Sequence, residues 1–477
     1  MQFMNAPGFK ENAREALADD NLQEALGMLK AGFIPRRQAA VDGLPEFEAL
    51  RERGREIKNH TLAHLDHYLE TFERHCTAQG GHVHWAPSAD DARAAVLEIC
   101  RTAGARTVTK GKSMIAEELH LNPFLERHGI TPVETDLGEY IVQLAEEPPS
   151  HIIGPAIHKT KDQVSDLFVE HHAAYGKNER LSEATDLISE AREVLRGKYF
   201  EADVGITGAN FLIAETGSSV IVTNEGNGDL TQMLPRVHIV VTSIEKAVPT
   251  LEDASTLLRL LARSATGQDF SAYTTFSTGP RRPGDLDGPE EYHVVILDNG
   301  RSSMLGSEYQ DMLRCIRCGA CMNHCPVYHA VGGHTYGSVY VGPMGAVLSP
   351  SLSGMETMHH LPNASTFCGR CEAVCPMKIP LPRMMRHWRE KGFETATGPA
   401  PERWGLKVWA WFARRPWLYQ LGIRAASRLL HRMGGRQGRL RSLPLARGWT
   451  DGRDLPAPQG GTFQERWHRT SRPGRGR

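Results

Sequence analysis

Seven of the nine cysteines in this chain lie between Cys315 and Cys375, in two runs of similar spacing. The runs read Cys315-x2-Cys318-x2-Cys321-x3-Cys325-Pro326 and Cys368-x2-Cys371-x3-Cys375-Pro376. Thiolates at every third residue suit a backbone loop that wraps a cubane of iron and sulfur, and the proline turns the chain away from it. The spacing therefore predicts two iron–sulfur clusters.

The fourth cysteine of such a run binds the other cluster in bacterial ferredoxin patterns. Cluster I, expected to be a 4Fe–4S cluster, would take Cys315, Cys318, Cys321 and Cys375. Cluster II would take Cys325, Cys368 and Cys371. A complete second run needs a cysteine at position 365, where the sequence has Ser365. Cluster II is thus either a 3Fe–4S cluster or a 4Fe–4S cluster with an open or oxygen-ligated corner.

A zinc site or a disulfide knot is the alternative use of clustered cysteines. Zinc sites usually use two Cys-x2-Cys pairs, whereas three thiolates in Cys-x2-Cys-x2-Cys suit a cubane better. Residues Met1 to Arg14 are mixed polar, without the apolar core of a secretory signal. We therefore expect a cytoplasmic protein whose cysteines stay reduced, with Cys76 and Cys100 as ordinary buried thiols.

The pattern of helices and strands in the rest of the sequence predicts an α/β protein with four parts, one of which carries these cysteines. Residues 1–80 are expected to form a helical arm, and residues 81–300 an α/β domain. Residues 301–390 would form a helical, ferredoxin-like two-cluster domain. Residues 391–477 would form a basic, Trp- and Arg-rich extension, partly disordered and at least so from Gly460.

Apolar residues recur at three- and four-residue steps in the arm, which predicts helices. Gly32 and Pro35 are expected to interrupt them, and Leu50–Phe72 to be helical again. Three histidines of this stretch share one helix face, and we interpret that face as solvated or at the edge of the core rather than as a metal site. They are His60, His64 and His67.

Strands that alternate with helices predict a mostly parallel sheet in the α/β domain. Residues Val164–Arg196 are expected to be helical, as is Leu251–Ser264. The predicted strands are His82–Ala86, Thr107–Lys110, Thr131–Glu134, Phe211–Ala214, Ser219–Val222, His238–Thr242 and Tyr292–Leu297.

Two lysines lie at and just after the end of a predicted strand in Thr109-Lys-Gly-Lys-Ser-Met114, where backbone amides and ammonium groups can hold an anion. A nucleotide P-loop is excluded, because Gly-x4-Gly-Lys-Ser needs glycine where Arg106 stands. We predict that Lys112, or its neighbour Lys110, clamps a carboxylate.

Acidic turns at strand ends supply the candidate proton acceptors. Glu215 lies in Glu215-Thr-Gly-Ser-Ser219, and Glu225 lies in Asn224-Glu-Gly-Asn-Gly228. Open α/β sheets place ligand sites at such strand ends, so both carboxylates are candidates for catalysis beside Lys112. The alternative is that these are two tight turns with no role in chemistry. A nicotinamide fingerprint is not supported, since Gly205-Ile-Thr-Gly208 lacks the third glycine.

Charge is distributed unevenly along the 477 residues, although the net charge is −1. From Arg383 onwards 21 Lys and Arg stand against 6 Asp and Glu. Four tryptophans between Trp404 and Trp417 lie among Lys407, Arg414 and Arg415, as in an interfacial helix at a membrane or subunit surface. A helix packed on its own domain is the alternative. No nucleic-acid motif accompanies these cations, and we expect no nucleic-acid partner.

The chain resembles the lactate utilization protein B family, the iron–sulfur subunit of a three-protein bacterial system for L-lactate oxidation. The resemblance lies in both cysteine runs, the Trp/Arg-rich C-terminus, Lys112-Ser-Met114, Glu134–Tyr140, Pro149–Thr160 and Asp203–Gly228. It implies an α/β domain similar in fold to sugar-phosphate isomerases and formyltetrahydrofolate cyclo-ligases. It also implies an oxidoreductase subunit that works with the other subunits of a lactate oxidation complex and an electron acceptor.

Three functions remain open from the sequence. The first is an electron-transfer subunit in the oxidation of L-lactate to pyruvate, since no flavin or nicotinamide fingerprint accompanies the clusters. The second is that the α/β domain itself binds and oxidises lactate, with the clusters as electron sink. The third is an assembly or regulatory module whose clusters are structural.

Overall fold

The computed structural model describes residues 6–398, 400–443, 450 and 453–470 of the chain. The chain divides into two compact units, Met1–Gly392 and Phe393–Arg477. The first unit contains the predicted arm, α/β domain and cysteine runs in one body. The division into four parts at residues 80, 300 and 390 therefore stays a prediction about organisation within these units.

A six-stranded parallel sheet organises the α/β part and confirms the predicted alternation. Every pair of neighbours is parallel, in the order β1-β10-β7-β4-β2-β3. Alternate residues of one strand enter cores on opposite faces, as the two-residue period requires. The strands are β1 (His82–Ala86), β2 (Thr107–Lys110), β3 (Thr131–Glu134), β4 (Val204–Thr207), β7 (Val237–Ser243) and β10 (Glu291–Leu297).

A second, four-stranded sheet was not anticipated from the sequence. It has the order β8-β5-β6-β9, in which only β8 and β5 run parallel. The turn at Glu215 thus joins two antiparallel neighbours and does not lie at the edge of the parallel sheet. The strands are β5 (Phe211–Ile213), β6 (Ser218–Thr223), β8 (Ala247–Val248) and β9 (Tyr273–Ser277).

Helices cover both faces of the parallel sheet, and short polar caps begin several of them. The Ser88 hydroxyl and the Asp91 carboxylate form a reciprocal capping box at the helix that follows β1. The helices of this part are α5 (Ala89–Thr102), α6 (Met114–Glu118), α7 (Leu121–Arg127), α8 (Leu137–Leu144), α9 (Lys161–His172), α10 (Ala184–Glu201), α11 (Asn227–Met233) and α12 (Leu251–Ala265). The single helix predicted over Val164–Arg196 is wrong, because the chain turns between α9 and α10, where Gly176 adopts φ 73°.

The N-terminal arm consists of α1 (Phe9–Ala18), α2 (Asp20–Asp42), α3 (Phe47–Ala63) and α4 (Leu65–Ala78). The expected interruption is wrong, since α2 continues through Gly32 and Pro35. Tertiary contacts on either side of the proline hold the helix: Leu29 enters the core, and Arg37 donates to the carbonyl of Val374 at 2.8 Å. An interior proline costs a helix about 3 kcal/mol, which such contacts offset.

The cysteine-rich part is built from short helices that wrap irregular loops. They are α13 (Ala320–Asn323), α14 (Pro326–Val331), α15 (Gly342–Ser353), α16 (Met355–Met358), α17 (Arg370–Ala373) and α18 (Leu381–Glu394). Trp388 of α18 stacks on Tyr309 with ring centroids 4.0 Å apart, and its indole donates to the carbonyl of Val347. The cysteines share one hydrophobic core with the arm and the second sheet.

The second unit consists of α19 (Ala400–Ala413), α20 (Pro416–Gly434), the short pair β11 (Arg439–Leu440) and β12 (Leu455–Pro456), and α21 (Phe463–Thr470). Disorder from Gly460 onwards is wrong for α21, whose Glu465 lies 3.3 Å from Arg424 and caps Thr462. Residues 471–477 lie outside the described part of the chain. No helix in the described ranges is long and apolar enough to cross a membrane.

Candidate cluster centre and adjoining pocket

The four cysteines predicted for cluster I line one cavity, and this includes Cys375 from the second run. The other walls are mainly apolar and include Ile152, Met344 and Leu381. Of the four thiols, three are buried and that of Cys315 is half-buried. The structure thus brings together a ligand set that spans 60 residues of sequence, as crossed binding requires.

The spacing of the thiols separates a cluster from a single zinc ion. Tetrahedral zinc with Zn–S bonds of about 2.3 Å needs sulfur atoms about 3.8 Å apart. No three cysteine Sγ atoms among the described residues lie within 4.8 Å of one another, and all nine cysteines are free of disulfides. The cavity therefore fits a multi-iron cluster, with thiolates at its corners, better than one metal ion.

Burial controls the chemistry of these thiols. It raises the pKa of Cys318 and Cys321 above that of a free thiol, and the neighbouring Cys315 and Cys375 thiols raise both further. Burial likewise raises the pKa of Cys375 to about 11. Thiols this reluctant to ionise need positive charge as metal ligands, and iron supplies it as it binds.

The three cysteines predicted for cluster II form a second group. Burial and then the neighbouring Cys325 thiol raise the pKa of Cys371 to about 12, with Cys368 as a further neighbour. Cys325 and Cys371 are buried, but Cys368 is exposed. The group therefore reaches the molecular surface, in contrast to the cluster I cavity.

The two cysteine runs share a repeated backbone pattern. Arg317, before Cys318, and Phe367, before Cys368, both adopt a left-handed conformation, with φ of 60° and 53°. A left-handed glycine then follows, with φ of 72° at Gly319 and 78° at Gly369. This alignment superposes position 365 on Cys315, so Ser365 occupies the place of the absent cysteine. Left-handed non-glycine residues persist where the surroundings enforce them, as at ligand loops.

A pocket of about 320 Å³ opens at the carboxyl ends of β2, β3, β4 and β7. This volume is at the lower end of the range of small-molecule sites. Residues from the loops after these strands line it, among them Lys112, Asp136, Asn210 and Lys246. Ligands of open parallel sheets bind at this edge, so the pocket is the candidate substrate site.

Two of the three residues predicted for catalysis line this pocket. The Lys112 ammonium lies 3.2 Å from Asp136 and donates to the carbonyl of Ile153 at 2.9 Å. Burial alone would lower the pKa of Lys112, but the neighbouring carboxylates raise it. Partial desolvation and then Asp136 raise the pKa of Glu225. Lys112 is thus a cation already paired, and Glu225 is a carboxyl group whose pKa lies above its usual value.

The structure does not bring Glu215 or Lys110 to the pocket. Glu215 is exposed and accepts a hydrogen bond from the Leu251 amide at 3.0 Å, at the start of α12. Lys110 is fully buried and pairs with Glu134 at 2.7 Å and Glu117 at 3.0 Å. Their roles are a helix cap and a buried ion pair, so the expected meeting of Lys112 and Glu215 does not occur.

Two side chains that sequence reasoning missed complete the pocket. Lys246 is 6% exposed, and Arg317, from within the first cysteine run, is 9% exposed. Arg317 and Ile152 line both this pocket and the cluster I cavity. The pocket and the cavity therefore share a wall. No sequence motif marks Lys246 as a ligand-binding residue. Arg317 lies between two predicted cluster ligands, Cys315 and Cys318, so its sequence position indicated only the cluster.

The segment Pro149–Thr160 supplies part of that shared wall. His151 is buried, and its imidazole lies 2.8 Å from the side-chain oxygen of Asn323 in α13. Its other nitrogen accepts from the amides of Ile153 and Gly154. His158 contacts Glu147 at 2.7 Å. The contact with Asn323 joins the segment to the cysteine-rich part, and the contact with Glu147 ties its end to the preceding residues.

Three stretches of the chain match known families. Residues 69–297 match the LUD domain, residues 311–379 the 4Fe-4S dicluster domain, and residues 370–472 the C-terminal region of lactate utilisation protein B. Lactate utilization protein B of Bacillus pumilus (strain SAFR-032) is 43% identical over 464 residues, 97% of each chain. This chain belongs to the lactate utilization protein B family.

Other members of the lactate utilization protein B family agree with this assignment. The protein of Geobacillus kaustophilus (strain HTA426) is 43% identical over 478 residues, 99% of each chain. The dicluster match confirms the predicted iron–sulfur clusters. A solved DUF162 family protein from Deinococcus radiodurans is 16% identical and covers 49% of this chain and 98% of its own. Its TM-score of 0.26 is too low to carry an argument.

Proposed function

We propose that this protein is the iron–sulfur electron-transfer subunit of a bacterial system that oxidises L-lactate to pyruvate. The observation that carries the proposal is the wall that Ile152 and Arg317 share between the α/β pocket and the cluster I cavity. Lactate utilization is the role named for its relatives. When bound, the clusters supply one-electron transfer.

The ligand sets support two unlike clusters. Cys315, Cys318, Cys321 and Cys375 offer four thiolates, which is the full complement of a 4Fe–4S cluster. Cys325, Cys368 and Cys371 offer three, with Ser365 at the fourth place. Cluster II is accordingly a 3Fe–4S cluster or a 4Fe–4S cluster with a non-cysteine corner. Its exposed Cys368 marks the side at which an external acceptor or another subunit approaches.

The α/β domain is the second candidate for binding and oxidising the substrate. The pocket borders a redox centre through two side chains, which is where a substrate would give up electrons. Lys112 and Glu225 line this pocket and remain candidates for proton transfer there. The alternative of purely structural clusters gains no support from this geometry, since a structural cluster needs neither a pocket beside it nor an exposed ligand.

Electron exit near Cys368 can be tested with an anionic acceptor. Arg370 is exposed and lies in α17 beside the cluster II ligands. In anaerobic holoprotein reduced with dithionite, Arg370→Glu should slow oxidation by ferricyanide about threefold or more at low salt, because the acceptor is repelled. The effect should fade in high salt.

The matched control is Arg127→Glu, which reverses an exposed charge at the end of α7. It should leave the oxidation rate within about 1.5-fold of the wild-type rate. Equal slowing by both variants would refute exit at Cys368. Absence of any paramagnetic signal from the dithionite-reduced protein would refute electron transfer altogether.

The second unit supports peripheral contact with an anionic membrane. None of the residues of α19 is buried, and Trp404, Trp409 and Trp411 are exposed by 66%, 59% and 49%. Between residues 400 and 434 there are seven Lys and Arg against one Glu. Indole rings among cations suit the headgroup layer of anionic lipid.

Vesicle flotation tests this contact. Full-length protein should float with phosphatidylglycerol vesicles and not with phosphatidylcholine vesicles, and Trp404→Ala with Trp409→Ala should abolish flotation. Trp85→Ala, which removes a 44% exposed tryptophan from β1, is the control and should float normally. Normal flotation of the double variant, or loss in the control, would reject α19 as the contact.

A further inference from the structure

We propose that Lys246, assisted by Arg317, binds the carboxylate of a short organic acid in the pocket beside cluster I. This rests on the proposed function only in taking the pocket as the substrate site, and it replaces Lys112 as the anion-binding cation. The assignment comes from four observations: unpaired donors, a charge surplus, a rigid backbone and an apolar neighbourhood.

Lys246 is a buried lysine whose pKa burial lowers to about 8, and Glu245 attracts it without a close contact. Its side chain lines the pocket, and it makes no hydrogen bond or ion pair with any described residue. Burying an ammonium group is unfavourable unless an anion or an acceptor faces it. Lys112, which also lines the pocket, already has Asp136 at 3.2 Å and a carbonyl at 2.9 Å. Of these two lysines, only Lys246 has its donors free for a ligand.

Arg317 adds further unpaired donors beside it. Its Nη2 contacts the Glu245 carboxylate at 3.1 Å, but its Nε and Nη1 have no hydrogen-bond partner among the described residues and are buried. The guanidinium also lies over the Tyr340 ring, with its carbon 5.1 Å from the centroid. A planar guanidinium held in this way presents fixed donors, as carboxylate recognition requires.

The neighbouring charges leave a positive surplus. Three buried cations, Lys246, Arg301 and Arg317, meet two buried carboxylates, Glu118 and Glu245, while burial lowers the pKa of the adjoining Lys58 to about 7. Arg301 and Arg317 both contact Glu245, and Arg301 also contacts Glu118. The carboxylates are thus committed to the arginines. An anionic ligand in the pocket completes the balance on one side, as the cluster thiolates do on the other.

The backbone that carries Lys246 is held on both sides. The buried Lys58 ammonium donates to the carbonyl of Glu245 at 2.5 Å and to that of Ala247 at 3.1 Å. These are the residues immediately before and after Lys246. A cation on a clamped backbone needs little reorganisation to meet its ligand, which strengthens an electrostatic contact.

The apolar residues of the pocket lining favour an acid with a short alkyl group. Leu261, Ala262 and Ala265 of α12 contribute an apolar surface, and Val241 adds to it. A small alkyl group can pack there while the carboxylate meets the cations. The acidic residues Asp136 and Glu225 also line the pocket and disfavour a second carboxylate beside them. Monocarboxylates of the size of lactate fit this pattern.

The test is calorimetric titration of the oxidised holoprotein with L-lactate and with its uncharged amide, L-lactamide. Lys246→Met keeps the length of the side chain and removes its charge, so it should weaken L-lactate binding about 10- to 100-fold. Its affinity for L-lactamide should be unchanged, because the amide offers no negative charge. The matched control Lys161→Met removes an exposed ammonium group at the start of α9, outside the pocket, and should change L-lactate binding by less than about threefold.

Equal L-lactate affinity in wild type and Lys246→Met would overturn the proposal, as would a larger loss in Lys161→Met or no L-lactate binding by the wild type. The ferricyanide experiment at Arg370 is independent of this pocket. Failure of the carboxylate site with normal electron exit would therefore leave the proposed function standing.

A second measurement needs no variant and guards against misfolding of Lys246→Met. Reductive methylation with formaldehyde, read by mass spectrometry, reports the accessibility of each lysine in the wild type. L-lactate at ten times its dissociation constant should protect Lys246 about tenfold, and L-lactamide should protect it less. The exposed Lys161 on α9 is the internal standard. Equal modification of Lys246 with and without L-lactate would overturn the assignment.

Discussion

Replacing Arg301 with methionine should destabilise the first unit by about 3–5 kcal/mol, the usual effect of breaking a buried ion pair. Arg301 is fully buried and reaches both carboxylates of the network beneath the pocket. It contacts Glu118 at 2.5 and 2.9 Å and Glu245 at 3.1 Å. Methionine fills most of the space of the arginine side chain, but it leaves the two buried carboxylates without the positive charge of Arg301.

The loss should depend on pH in a defined direction. Burial would raise the pKa of Glu245, but Arg301 and Arg317 outweigh burial and lower it to about 2. A lowered pKa contributes stability above the unfolded value near 4.5, and this contribution is lost as the pH falls through about 2. Without Arg301 the pKa values of Glu118 and Glu245 rise. Protonation then relieves the variant, so its deficit should be larger at about pH 7.5 than at about pH 5.

Urea unfolding of anaerobic holoprotein, followed by near-ultraviolet circular dichroism at both pH values, measures this difference. Arg281→Met is the matched control, because Arg281 pairs with Glu290 at 3.2 Å on the surface. It should cost less than about 1 kcal/mol. Adding Glu118→Gln to Arg301→Met should recover part of the stability. A loss below about 1 kcal/mol in Arg301→Met, or one that is independent of pH, would refute the reasoning.

Three further predictions concern the clusters and their support. Cys375→Ser should remove the cluster I signal and Cys325→Ser that of cluster II in electron paramagnetic resonance, and the reverse pairing would contradict crossed ligands. Ser365→Cys should bring cluster II to four irons, and an unchanged iron content and spectrum would reject position 365 as its open corner. Gly333→Ala should lower thermal stability markedly, because its Cβ would lie 1.7 Å from the carbonyl oxygen of Ser150. An unchanged melting temperature would show that the backbone at Gly333 can move away from Ser150 at little cost in stability.

Much of the fold follows from local sequence. The strands β1, β2 and β3 were predicted with their observed ends, because period and flanking turn residues are local signals. The predicted break of the helix at Gly32 and Pro35 was wrong, because distant contacts hold that helix. One such contact joins Arg37 to Val374, more than 300 residues away. The break between α9 and α10 and the second sheet also escaped local patterns.

The cysteine spacing alone predicted the clusters and their crossed ligands, because a cubane imposes a short repeat on the backbone that binds it. The pocket could not be predicted in the same way. Lys112 follows β2 of the parallel sheet and Glu225 follows β6 of the second sheet, and the fold brings both to the pocket. Glu215 instead accepts a hydrogen bond at the start of α12. The proposed role of Lys246 and Arg317 depends on their burial, on the charges around them and on the wall that the pocket shares with the cluster I cavity. Such properties arise from residues distant in sequence, so only the tertiary structure decides them.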